Sequence, residues 1–326
     1  EANMHVLRIA RAYTNRAKII KTEGGYHGTT DVFEASVDPN IKKAGTLDKI
    51  NVIPESRGVS ENALKDVLVV PFNDIENTKR VVESHYHDVA CLIIEPIMGS
   101  AGQIVPDLGY LEFLREITTH YGILLIFDEV VTFRLSMGGA QQQYGICPDL
   151  TSLGKIIGGG TPIGAFGGKE EIMKLYDPRE KKMYHSGTFN GNALGMAAGI
   201  ATMKAFDENM VNRVNNLGFR FKGSLENVFK KLGLDIQVSG TGSLYNIIFS
   251  NKAIRSYRDV ASSYERLNQI LYLSLITKGI FDAPRGMFCM STAMTEADID
   301  FAVDKIEASL TEMRPVIAEA APELVL

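Results

Sequence analysis

The chain lacks three things, each of which would have placed it in a different class of protein. No apolar stretch approaches the roughly 20 residues that span a bilayer, which argues against a transmembrane helix. Its 34 basic and 39 acidic residues contain no Lys/Arg run, and the net charge of −5 suits neither nucleic acid nor an anionic membrane surface. Cysteine is scarce: Cys91, Cys147 and Cys289 are far apart, odd in number and without a CxxC pair. That excludes a disulfide frame or cysteine zinc site and points to reduced thiols in a cytoplasmic protein. His85 and His87 have no acidic or cysteine partner at ligand spacing, so no metal is expected.

What remains is an ordinary globular composition, 45% hydrophobic and 22% charged, in a chain long enough for two domains. Met4, Leu7, Ala10 and Arg11 recur at helical spacing, so the chain opens inside a helix and a segment upstream of Glu1 is expected. A short strand follows at Lys18–Lys21, then a glycine-framed turn at 24–28 and a long surface excursion over 36–62. Apolar strands at 67–70, 91–94, 123–127 and 163–166 alternate with helical runs at 74–86 and 109–121. This is α/β patterning, a mostly parallel sheet buried on both faces, in which ligands bind beyond the carboxyl ends of strands. After a helix at 192–206 the pattern becomes α+β, with helices at 211–232, 259–277 and 296–311 and strands near 236–238, 244–249 and 287–291. The expected domains are 1–206 and 207–326.

Four clusters carry chemistry. Asp128-Glu129 ends an apolar strand and places two carboxylates in the ligand zone, although such a pair also reads as a helix cap or ion pair. Lys155 lies between apolar residues and the glycines Gly158-Gly159-Gly160. Desolvation of such a lysine lowers its pKa and suits it to Schiff-base chemistry. A Walker phosphate loop is excluded because Ile156 stands where Ser/Thr is required, and the glycines lead into a strand rather than a dinucleotide-binding helix. Ser186–Asn192 heads the 192–206 helix and offers a hydroxyl and backbone N–H groups to a phosphate, or forms a plain capping turn. Tyr26, in the turn Gly24–Gly28, could lie against a planar ring or simply pack in its loop.

In order along the chain, these clusters resemble the class III pyridoxal-5'-phosphate (PLP)-dependent aminotransferases, in particular their glutamate-1-semialdehyde aminomutase branch. The matching pieces are Gly25-Tyr26-His27-Gly28, Ile94-Glu95-Pro96, Phe127–Arg134, Gly138–Gln141, Pro148–Thr151, Leu153–Gly160 and Gly187–Asn192. The resemblance implies a type I PLP-dependent transferase fold: a large domain with a mostly parallel sheet and a smaller α+β C-terminal domain. It implies that Lys155 holds PLP as a Schiff base and Asp128 pairs with the pyridine nitrogen. Tyr26 and Val130 would flank the ring, with His27 beside it, and Thr188 would bind the phosphate of a neighbouring subunit in a homodimer. The substrates would be a small-molecule amino donor and a carbonyl acceptor.

The chain departs from the aminomutases at several places, among them a Val131-Thr132-Phe133-Arg134 run one residue shorter than theirs and two that bear on the reaction. Gly99-Ser100 replaces their Gly-Asn, and Pro284-Arg285-Gly286-Met287-Phe288 replaces a Gln-Phe-Glu run near the C-terminal end. Arg285 can clamp a carboxylate with two parallel hydrogen bonds, or be a surface or ion-paired arginine. The reading is therefore an intermolecular transaminase, with a 2,1-aminomutase as the alternative and a non-catalytic homologue as a third possibility.

Overall fold

Helix α1 (Ala2–Thr14) buries Val6, Leu7, Ile9 and Ala10, and it ends at Asn15, whose left-handed backbone (φ 54°) closes it. A computed structural model describes residues 1–326, which divide into two compact units. The first comprises Glu1–Gly99 and Pro106–Asp207; the second comprises Ser100–Val105 and Glu208–Leu326.

The first unit is built on strands β1 (Lys18–Thr22), β2 (Val67–Val70), β3 (Val89–Ile94), β4 (Leu124–Asp128), β5 (Leu150–Gly154) and β6 (Gly164–Gly168), in the spatial order β2-β1-β3-β4-β5-β6. The pairings are parallel except for β5–β6, which is antiparallel. Every residue of β3 and β4 is buried, as expected of central strands covered on both faces. Helix α2 (Ile75–His85) starts at Asp74, whose side chain accepts the Asn77 N–H. Helix α3 (Tyr110–Tyr121) runs between Gly109 and Gly122, both left-handed.

Two expectations need correction here. Leu150–Gly154 is a strand that the pattern did not announce, because Thr151, Ser152 and Gly154 interrupt its apolar residues. The 36–62 excursion is mostly exposed but contains a small hairpin, Gly45–Thr46 with Lys49–Ile50. Just before it, the fully buried ammonium of Lys21 donates to Ala35 O, and burial pushes the Lys21 pKa down to about 7.

In the second unit, helix α6 (Glu208–Leu232) turns Val214, Leu217, Phe221, Leu225 and Val228 inward at helical spacing. Leu217, Phe221, Leu225 and Val228 join Val238, Tyr245, Ile247 and Phe288, from the antiparallel strands β7 (Gln237–Thr241), β8 (Leu244–Ile248) and β9 (Met287–Cys289), in one core. The helix expected over 259–277 is two pieces, Tyr257–Ala261 and α7 (Glu265–Thr277). The last helix, α8 (Glu296–Ala320), opens on a Thr295–Asp298 capping box and runs past residue 311. Met313 and Ile317 extend its buried stripe despite Pro315.

Candidate active site

Asp128 is the last residue of β4 and is buried. Its Oδ2 accepts from His27 Nδ1 (2.8 Å) and Asn3 Nδ2 (2.7 Å), and its Oδ1 accepts from the Val130 N–H (3.1 Å). Burial lowers the His27 pKa, against the pull of Asp128, so the neutral ring donates from Nδ1 to the carboxylate. A carboxylate has about four acceptor positions, so the three donors leave one, on Oδ1, for a cation. The neighbouring Glu129 faces elsewhere. Its carboxylate accepts from Thr132 Oγ1 and from the N–H groups of Ala140 and Gln141, capping helix α4 (Gly139–Tyr144). The expected carboxylate pair is thus split, one member for the site and one for structure.

Lys155 directly follows β5. The register pairs Asp128 with Ser152, two residues before the end of the adjacent strand, and Lys155 opens the turn just beyond that end. It adopts φ 45°, a left-handed conformation uncommon outside glycine. The turn it opens is seated on helix α5 (Ala193–Ala205). A Cβ at Gly159 would lie 2.3 Å from Thr202 Oγ1, and one at Gly199 would lie 2.5 Å from Ile157 O. Val130 borders the same turn, since a Cβ at Gly154 would stand 3.3 Å from its Cγ1. Lys155 is exposed, which differs from the expectation of a dry environment, although Ile156 and Ile157 beside it are half-buried and Gly158 is buried.

The turn carrying Tyr26 is tied down by Glu95, a buried residue just after β3 that sequence reasoning quoted but assigned no role. Glu95 Oε1 accepts from the Tyr26 N–H (2.9 Å) and Oε2 from the Gly99 N–H (3.0 Å). Burial, then the negative charge of Asp128, pushes its pKa up to about 8, against the opposing charge of Lys155. Asp128, Lys155, Glu95, Tyr26, His27 and Val130 all belong to the first unit, and Glu95 senses the charges of both Asp128 and Lys155. Thr188 does not head the helix. Asn192 caps α5 by accepting the Gly195 N–H, while Thr188 sits upstream in an exposed turn closed by Asn190 N–H to Gly187 O. Arg285 lies in the second unit, exposed, with Nη1 3.5 Å from Ser100 O.

A family model described as aminotransferase class-III matches residues 1–310. The chain belongs to the class-III aminotransferases. A glutamate-1-semialdehyde 2,1-aminomutase from Methanosphaera stadtmanae is 38% identical over 96% of this chain and 72% of its own. An omega-transaminase from Sphaerobacter thermophilus is 37% identical and superposes with a TM-score of 0.93 over 96% of this chain and 72% of that one. A beta-phenylalanine aminotransferase from Variovorax paradoxus gives 35% and 0.85, over 97% and 69%. The architecture is that of PLP-dependent class-III enzymes, and the cofactor is PLP. The donor set fits it: an exposed primary amine on a tight turn, and a buried carboxylate with one acceptor position left for a protonated ring nitrogen. No helix is long and apolar enough to cross a membrane.

Proposed function

We propose that this class-III aminotransferase is an intermolecular transaminase, moving an amino group from an amino acid or amine to a keto acid or other carbonyl compound. The observation that carries the reading is the Asp128 carboxylate, held by three donors, with Lys155 in the turn just after the adjacent strand. When bound, PLP supplies an electron sink for the electrons of a broken C–H bond. Lys155 Nζ would hold the cofactor's aldehyde carbon and, once displaced by the donor amine, take the proton from the amine-bearing carbon and deliver it to the carbon that had carried the aldehyde. Asp128 would keep the ring nitrogen protonated, Tyr26 and Val130 would flank the ring, and His27 would hold Asp128 in place. Thr188 would donate its hydroxyl to the phosphate in the second subunit of a homodimer. Helix α5 supports that assembly, because it is apolar yet leaves Leu194 80% and Ile200 56% exposed.

Arg285 and Ser100, in the places where the aminomutases carry a Gln-Phe-Glu run and an asparagine, favour transfer between two molecules. The 38% identity to an aminomutase keeps the intramolecular reading as the second one. A donor–acceptor panel followed by cofactor absorbance separates them. Amine consumption should require an added carbonyl acceptor, and Arg285→Ala should impair carboxylate-bearing substrates more than simple amines. Steady turnover of an amino-aldehyde with no acceptor would overturn the transaminase reading. Borohydride reduction of the holoprotein that leaves Lys155 unmodified would remove the Schiff-base role proposed for that residue.

A further inference from the structure

The sequence spacing identifies α1 only as a helical run, yet its first turn reaches the site. Asn3 is 6% exposed, and its amide nitrogen donates both to Asp128 Oδ2 (2.7 Å) and to His27 O (3.1 Å). Both partners are acceptors, which assigns the amide orientation. Its other end has no such match: Asn3 Oδ1 is buried without a hydrogen-bond partner. An unpaired buried carbonyl opposes folding, and an apolar side chain of the same size would avoid it. The residue therefore suits its two donors rather than the packing of α1. Those donors join two elements of the site, the end of β4 and the turn that carries Tyr26 and His27. The scaffold behind them is firm, with Val6, Ile9 and Ala10 of α1 in the same buried cluster as Ile93, Ile126 and Leu150 of the sheet.

We infer that Asn3 is a positioning residue for the cofactor. It orients the Asp128 carboxylate, so that the acceptor position left on Oδ1 stays directed to the ring nitrogen, and it locks the His27 turn to the same carboxylate. His27 alone does not suffice for this. With the Val130 N–H on Oδ1, a single donor on Oδ2 still lets the carboxylate rock about the line joining the two bonds, whereas a second donor on Oδ2 fixes its plane. Asn3 acts through Asp128 and does not touch the cofactor. The inference rests on the proposed pairing of Asp128 with the ring nitrogen.

The test is a PLP titration of the apoprotein, followed by absorbance, for the wild type, Asn3→Leu, Asn3→Ser, Asp128→Asn and the Asn3→Leu/Asp128→Asn double variant. Unfolding curves confirm that each is folded, and Asn3→Ser stands in should Asn3→Leu fail to fold. Losing a hydrogen bond to a charged group should weaken PLP binding by roughly 10- to 100-fold. In the Asp128→Asn background the Asn3 substitution should have little further effect. With 15N-labelled PLP, the ring-nitrogen resonance should move away from its protonated position in the Asn3 variants. Unchanged binding and resonance in both Asn3 variants, or an equal loss in the Asp128→Asn background, overturns the inference. If Asp128→Asn itself leaves binding and the resonance unchanged, the pairing proposed for Asp128 falls instead.

Discussion

At the scale of single residues, the site depends on two buried carboxyl groups doing different work. Asp128 is surrounded by donors, whereas Glu95 has only two backbone N–H groups and lies within reach of the Asp128 charge. In the unfolded chain Glu95 ionises near 4.5; in the folded protein it keeps its proton to about 8. Between those values the folded state binds more protons. The Glu95 contribution to stability is therefore complete below 4.5 and is lost as pH rises through 8. Removing the ionisable group in Glu95→Gln should flatten this slope. The stability difference between wild type and variant should change by on the order of 3–5 kcal/mol between pH 4.5 and 8, measured by urea unfolding. Parallel pH profiles for the two proteins would contradict the assignment. The role of Asn3 also emerges at this scale: nothing in a short helical pattern links it to a residue 125 positions away.

Among the secondary-structure elements, glycine positions separate propensity from packing. Gly218 and Gly223 both lie within α6, where replacing glycine by alanine favours the helix by about 1 kcal/mol. A Cβ at Gly223 meets nothing within 4 Å, but at Gly218 it would lie 1.9 Å from Gly242 O and 2.7 Å from a Tyr245 ring carbon. Backbone oxygen cannot yield as a flexible side chain can, so the clash outweighs the helix gain. Gly223→Ala should stabilise the protein by about 0.5–1 kcal/mol and Gly218→Ala should destabilise it by about 1–3 kcal/mol, read from thermal unfolding. Similar shifts in the same direction would show that α6 does not approach the β7–β8 turn as described. The amphipathic stripe of α6 was legible because its apolar residues repeat every three to four positions. Strand β5 was not, since two hydroxyl residues and a glycine blur its pattern while its pairing with β4 and β6 makes it a strand.

For the whole molecule, the decisive feature is helix α5, whose buried residues are only Gly195 and Gly199. If a second copy of the chain covers Leu194 and Ile200, then Leu194→Glu and Ile200→Glu should shift the protein from dimer to monomer in sedimentation velocity. Both should also weaken PLP retention, because Thr188 precedes the same helix. A wild-type monomer, or variants that stay dimeric, would end that proposal. The order of the motifs along the chain was enough by itself to identify the family, the cofactor and the α/β architecture, because spacing and residue type survive without coordinates. Only the folded chain decided that Glu129 caps a helix while its neighbour Asp128 does not, that Lys155 is exposed, that Asn3 donates to Asp128, and that Glu95 ties down the turn carrying Tyr26. Those outcomes depend on which way a side chain turns and what meets it across the sheet, and contacts between distant segments leave no periodic trace in a linear sequence.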